Sequence, residues 1–169
     1  SLAKVEEKVQ PLDRIKDLLV DLGYQEAVTY SFVEQKALDL LTPNDEVYRL
    51  QNPISSDMSV MRTTLWAGLL KAMDANIKRN EETIRFFESG LTFTVKDGQL
   101  EQQQMLSLLA TGQAYPEQWG ETAREIDFYD VKNDIEAILS LNGVLSDYEF
   151  KPAKHDALHP GQTAELVNK

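Results

Sequence analysis

IRFFESGLTFTVKDGQLEQQQMLSLLAT, residues 84–111, decides how this chain folds. Ile84 to Val95 is rich in β-branched and aromatic residues and reads as one long strand. Asp97-Gly98 is a dipeptide that tolerates the positive φ angles of a tight two-residue turn, so the chain is expected to double back there as a hairpin. Met105 to Thr111 is almost continuously apolar, the pattern of a strand buried on both faces. Gly90 interrupts the first arm and marks a bulge or a close backbone approach.

Working upstream, Leu12, Ile15, Leu18, Leu19 and Leu22 recur at helical spacing and form one apolar stripe. Pro11 suits the first turn of that helix, and Gly23 suits a left-handed cap at its end. Glu26 to Val33 is β-branched and aromatic and reads as a strand. A short helix is expected over Glu34 to Leu41, stopping at Thr42-Pro43. Val47 to Leu50 reads as a brief strand, Asn52 to Asp57 as a turn, and Met58 to Arg62 as extended. Thr63 or Thr64 can cap a helix carrying Leu65, Leu69, Leu70, Met73 and Ile77 on one side.

Downstream, Gly112 to Thr122 reads as a loop, and a further helix runs from about Tyr129 to Leu141 with Ile135, Ile138 and Leu139 inward. Tyr148 to Lys151 and Thr163 to Val167 are two more strands around a loop, Lys154 to Gly161. Strands joined by tight turns and interrupted by separated helices predict an α+β fold, a mainly antiparallel sheet flanked by helices.

The chain's 169 residues fit one domain, or one domain with a small appendage, and the organisation expected is a flank over residues 1–10 and a core over residues 11–169. The flank reads as the end of a preceding module or an expression tail, and the core as a piece cut short at its C-terminus. With no cysteine, disulfides and cysteine-ligated zinc are excluded, and two histidines are the only nitrogen ligands for a metal. A balance of 17 Lys+Arg against 28 Asp+Glu, net −11, argues against a primary grip on nucleic-acid phosphates. No apolar run approaches the roughly 20 residues that span a bilayer.

Few residues invite chemistry. His155 and His159 flank Asp156, but Pro160-Gly161 follows at once, so a turn in which one imidazole bonds a backbone carbonyl is favoured over a metal site. Asp127 and Asp130 sit where carboxylates stabilise a helix N-terminus, and Glu81-Glu82 reads as a solvated edge. Lys71, Lys78, Arg79 and Arg85 form a basic concentration best explained by a solvated helix end. Arg62, set among core residues just before a helix, is expected to meet a carboxylate, with Glu88 the candidate and a structural ion pair preferred to catalysis.

Five stretches taken together resemble a known family. They are LGYQEAVTYSF (22–32), LQNPISSDMSVMRTTLWAGLL (50–70), FFESGLTF (86–93), DFYDVK (127–132) and LHPGQTA (158–164). In that order they are similar to the β subunit of bacterial phenylalanine–tRNA ligase, in its catalytic-like module, across about residues 11–167. The resemblance implies a class II synthetase-like core that does not catalyse. Active cores of that class carry a phosphate-gripping arginine just after the long strand, where this chain has Thr94, Val95, Lys96 and Asp97. Ala67 and Asn133 depart from the family's usual Pro and Gly; Asn133 tolerates the left-handed region, so a special backbone conformation could survive there.

What the resemblance implies is a structural and interface module, cytoplasmic, that supports a catalytic α subunit in an α2β2 assembly charging tRNA(Phe) with phenylalanine. ATP and magnesium would belong to the parent complex, with no cofactor, metal or catalytic residue in this piece. The implied interface is the first helix and following strand: Leu12, Ile15, Leu18, Leu19, Leu22, Tyr30 and Phe32. The motif residues expected to act structurally are Asn52, Pro53, Arg62, Glu88, Gly90, Asp127, Lys132, His159, Pro160 and Gly161. The rivals are a stand-alone synthetase-like regulatory domain binding an amino acid, a small enzyme using Arg62, Glu88 and His159, and a direct tRNA-binding module.

Overall fold

Asp97 and Gly98 take φ angles of +52° and +74°, the paired positive values of a tight hairpin turn. The computed structural model that shows this describes residues 2–115 and 124–169, with the backbone alone over residues 2–11. The turn joins β4 (Ile84–Lys96) to β5 (Gln99–Thr111) in one unbroken antiparallel register, from Ile84 opposite Thr111 to Lys96 opposite Gln99. Gly90 lies in register opposite Met105, so the strand carries no bulge there. β1 (Gln25–Glu26) adds to the other side of β4 in parallel, giving the order β1-β4-β5. Two antiparallel pairs complete the described sheets: β2 (Phe32–Val33) with β3 (Val60–Met61), and β6 (Tyr148–Pro152) with β7 (Ala164–Asn168). The described helices are α1 (Leu2–Asp21), α2 (Gln35–Leu41), α3 (Trp66–Ile77) and α4 (Phe128–Leu141). The architecture is α+β and rich in antiparallel pairs, with one parallel pair making the main sheet mixed.

Side chains alternate between the faces of β4, and the two faces are used differently. Phe87 points to one side, where it is fully buried with Leu19 of α1 and Tyr24. Ile15, Leu22, Leu106, Leu108, Ala110 and Ile138 pack around that cluster. The Tyr24 hydroxyl donates to Asp134 Oδ2 of α4 at 2.7 Å, closing this layer. Burial, reinforced by that carboxylate, pushes the hydroxyl's pKa well above the usual tyrosine value. Glu88 and Gly90 point to the other side, toward Arg62 and Leu65 before α3.

Several sequence expectations meet corrections. The first helix begins at Leu2, so Pro11 lies inside it rather than at its first turn; lacking an N–H, Pro11 leaves one intrahelical bond unmade. Gly23 ends the helix as expected, with φ +94°. The Glu26–Val33 strand is split into β1 and β2, for a reason given below. Val47–Leu50 contributes only an isolated bridge between Arg49 and Val60. Residues 106–111 are half-buried and Met105 is exposed, because β5 is an edge strand and not an interior one. Among the α3 residues assigned inward, Leu69 is buried but Leu70 and Ile77 are exposed. Asn133 sits within helix α4, so the left-handed conformation considered for it does not occur. Of the loop expected at Gly112 to Thr122, residues 116–122, with Pro116 and Trp119, lie outside the described residues.

Candidate functional site

From the end of β1 through β2 the chain runs as a strip, residues 27–33, in which burial alternates strictly. Ala27, Thr29, Ser31 and Val33 are half-buried, while Val28, Tyr30 and Phe32 are exposed. Val28 is 89% exposed and Tyr30 75%, unusual for large apolar and aromatic side chains standing together. The inward residues carry the attachments. Ala27 N–H donates to Phe87 O at 2.8 Å, Arg62 N–H donates to Ser31 O at 2.8 Å, and Ser59 N–H donates to Val33 O at 3.1 Å. Among the described residues, the backbones of Val28 and Tyr30 make no hydrogen bond, so the strip's outer edge is open.

At the centre of the strip a carboxylate replaces the β ladder. Thr29 donates its backbone N–H to Glu88 Oε2 at 2.6 Å and its hydroxyl to Glu88 Oε1 at 2.7 Å. Arg62 Nη1 lies 3.4 Å from Glu88 Oε1, and Arg62 Nε donates to Leu91 O at 2.8 Å. Arg62 Nη1 also reaches Thr29 O at 3.5 Å. Glu88 is 2% exposed and Arg62 5%, so the pair is removed from water with most of its hydrogen-bonding capacity engaged by protein. Once the Thr29 amide is given to a side chain, the parallel ladder with β4 cannot continue. This is why the expected strand breaks after Glu26.

Two glycines make the space. A Cβ on Gly90 would lie 2.5 Å from Arg62 Nη2, and a Cβ on Gly68 of α3 would overlap the Thr29 hydroxyl and Cβ. At Gly90 the close approach is made by a side chain, the Arg62 guanidinium, and not by backbone as its place in the strand suggested. Thr29 and Gly68 were not singled out from the sequence. An isolated glycine inside a helix pattern is a signal that pointed to Gly68, since its cost in helix propensity needs a packing reason.

The other anticipated residues fall elsewhere. Leu19 is fully buried and Ile15 and Leu22 pack against it, so these spend their apolar area on the chain's own core; Leu12 and Leu18 are half-buried. Asn52 and Pro53 lie in an exposed turn. Asp127 caps α4, its carboxylate accepting from Tyr129 N–H at 2.9 Å and Asp130 N–H at 3.2 Å, while Asp130 accepts from Asp127 N–H at 2.8 Å. Arg124 donates to both oxygens of Asp130 at 2.8 and 2.9 Å and, with the Asp127 N–H, holds that carboxyl well below the usual aspartate range. Lys132 lies 3.6 Å from Glu136 and over the Phe150 ring. His159, Pro160 and Gly161 are in the exposed loop after β6, where the Thr163 hydroxyl donates to His159 O at 2.8 Å.

The expected histidine turn forms differently. His155 Nδ1 accepts from Ala157 N–H at 3.1 Å instead of donating to a carbonyl, and its ring meets Trp66 edge-on at 5.4 Å. This imidazole also lines an open cleft of about 610 Å³ with Thr42, Asp45, Lys154 and Pro160. In the basic group, Lys78 pairs with Asp74 at 2.7 Å and Arg85 donates to Ala114 O at 3.2 Å. No cluster of three or more metal-ligating side chains occurs among the described residues.

This arrangement, a long hairpin packed by helices, has a counterpart among solved structures of aminoacyl-tRNA synthetases. A pyrrolysyl tRNA synthetase, PylSc of Desulfitobacterium hafniense, superposes with a TM-score of 0.62 at 17% identity, over 87% of this chain and 49% of that one. Sequence comparison is more specific. Residues 2–169 match the family described as the phenylalanyl tRNA synthetase beta chain CLM domain. The phenylalanine–tRNA ligase beta subunit of Methylococcus capsulatus is 51% identical over 161 residues, covering 95% of this chain and 20% of the relative. Those of Nitrosococcus oceani and Pseudomonas putida are 52% and 50% identical, over 94% and 92% of this chain and 20% of each relative. The chain belongs to the phenylalanyl-tRNA synthetase β-chain CLM-domain family. It spans about a fifth of the length of these curated relatives.

Proposed function

We propose that this chain is a non-catalytic structural and interface module of a phenylalanine–tRNA ligase β subunit, with a class II synthetase-like core. It buttresses the catalytic α subunit that charges tRNA(Phe) with phenylalanine. The observation that carries the reading, beside family membership, is the open strip with Val28, Tyr30 and Phe32 turned outward. Such a strip can be covered by an extended segment of a partner, which would pair with the free backbone groups and bury the side chains between them. In this reading Tyr30 and Phe32 contact the α subunit. The α1 stripe joins them through Leu12 and Leu18, while Leu19, Ile15 and Leu22 serve the core.

The hairpin tip supports the lack of catalysis. Where active class II cores carry an arginine, the stretch Thr94–Asp97 offers a single cation, Lys96, whose ammonium lies 3.6 Å from Glu101. A lysine there lacks the planar fork that grips phosphate bidentately. ATP and magnesium then act at the α subunit, in a cytoplasmic α2β2 assembly, with tRNA engaged by the full complex. Among the described residues no helix is long and apolar enough to cross a membrane. We take residues 1–10 as a flank and 11–169 as the core, joined by continuous helix α1.

The experiment is co-expression of the full-length β chain carrying Val28→Ser and Tyr30→Ser with its α subunit. The wild-type pair should co-elute in stoichiometric amounts on size exclusion, and the double variant should fall apart on dilution. Co-elution of the folded double variant at wild-type strength would remove the strip from the interface and the proposal with it.

A further inference from the structure

We infer that the buried Glu88–Arg62 pair is a clamp that fixes the pose of the contact strip, with Thr29 as its handle. The inference rests on the reading of Val28, Tyr30 and Phe32 as the surface that meets the partner, and it assigns Glu88, Arg62, Thr29, Gly68 and Gly90 as positioning residues for it.

The geometry leads there in three steps. First, Thr29 sits between the two most exposed residues of the strip, and in an extended chain neighbouring side chains point to opposite sides. Fixing the Thr29 side chain inward therefore fixes Val28 and Tyr30 outward. Second, Glu88 engages Thr29 through both backbone N–H and hydroxyl, at 2.6 and 2.7 Å, so the carboxylate sets the strip's distance from β4 and the rotamer of Thr29 together. Third, Arg62 holds the same carboxylate while its backbone N–H holds Ser31 O and its Nε holds Leu91 O. One side chain and its own backbone thus tie the strip, β4 and the approach to α3 into a unit. Gly68 and Gly90 are the notches that let the three meet.

A backbone ladder from β4 would also attach the strip. It would, however, give the strip's position no dependence on a few side chains, whereas the carboxylate makes the outward pose a property of five residues far apart in sequence. An extended edge with open backbone groups presents a partner with a defined register only if it is held still. The clamp supplies that preorganisation.

The test uses the full-length β subunit in its complex, with hydrogen exchange and subunit dissociation as readouts. Thr29→Val removes the hydroxyl and keeps the shape, Thr29→Ser keeps the hydroxyl, and Glu88→Gln removes the charge. Thr29→Val and Glu88→Gln should speed exchange of the Ala27, Thr29 and Arg62 amides at least tenfold relative to β4–β5 ladder amides. Both should weaken retention of the α subunit at least tenfold, and Thr29→Ser should restore both readouts to within about twofold of wild type. A merely stabilising role would raise exchange in strip and ladder alike, and that result overturns the clamp. So does an unchanged strip in Thr29→Val. Should Glu88→Gln fail to fold, the Thr29 pair still decides. If Val28→Ser with Tyr30→Ser weakens the complex and Thr29→Val does not, the contact surface stands and the clamp falls. If the double serine variant leaves the complex intact, the contact reading fails and the exchange contrast alone judges the clamp.

Discussion

Two arginine–carboxylate groups in this molecule invert the usual ranking by distance. At the start of α4, Arg124 bonds Asp130 at 2.8 and 2.9 Å in plain contact with water. Beside the strip, Arg62 approaches Glu88 only to 3.4 Å, but both side chains are nearly sealed from solvent. The shorter contact is the weaker one. In water an ion pair replaces hydration it could have kept, and contributes about 0–1 kcal/mol. In the buried pair neither partner can be removed without stranding the other, so breaking it costs about 3–5 kcal/mol even if forming it gained little. What the buried group gains is specificity of arrangement: Glu88 holds Thr29 as well as Arg62, and Arg62 ties the strip and β4 to its own segment.

The comparison breaks most directly at Arg62. Arg62→Met keeps much of the side-chain volume and should destabilise the chain by about 3–5 kcal/mol in urea unfolding, because Glu88 would remain buried without its cation. Arg124→Met, which breaks a pair that water already screens, should cost far less. Equal losses would mean that burial does not separate the two groups. Next comes Gly90→Ala. Its new methyl would press on Arg62 Nη2, a side-chain end ordinarily free to move but here tethered at Leu91 O and Glu88. The expected cost is about 1–3 kcal/mol. Gly98→Ala, at the open turn where a methyl meets nothing, should pay only for its positive φ. A Gly90→Ala variant as stable as wild type would show that the guanidinium is not held where the geometry puts it.

The same contrast explains what the sequence made legible. The hairpin was readable because its signals are local: a β-rich run, a turn dipeptide, a second run. The α4 cap was readable because Asp127 and Asp130 are three residues apart and act on the backbone beside them. The Arg62–Glu88 pair was inferred from two residues each odd in its own setting. The strip was not readable as it stands. Residues 27–31 have strand composition, and what stops them from pairing with β4 is a carboxylate 59 positions away from Thr29. Local propensity has no term for that. β5 was misjudged for a related reason: Met105–Thr111 is apolar enough for an interior strand, but being interior depends on a neighbour, and the described sheet places β5 at its edge.

The α4 cap offers a milder effect. Asp127→Ala removes the acceptor for the Tyr129 and Asp130 N–H groups, and should cost about 1 kcal/mol, as such caps do. Asp127→Asn keeps an acceptor oxygen and should lose only a fraction of that. A loss in Asp127→Asn as large as in Asp127→Ala would transfer the effect from the hydrogen bonds to the charge.

The smallest expected effect has the clearest sign. Asp130 is held charged in the fold, first by Arg124 and then by the Asp127 N–H, so its folded pKa lies below the ordinary aspartate value of about 3.9. A depressed carboxyl binds protons more weakly folded than unfolded. Its contribution is therefore complete above the unfolded pKa and drains away as pH falls toward the folded one. Asp130→Asn keeps the oxygen that accepts from Asp127 and removes only the titrating charge. Its melting temperature should lie slightly below wild type near neutral pH, and the gap should close steadily as the solution is taken below about pH 4. Because Arg124 and Asp130 are both in reach of water, the gap should also shrink with added salt. A gap that ignores both acid and salt would mean that the Asn substitution acts through packing, and that the exposed group, like the buried one, matters for what it positions and not for its charge.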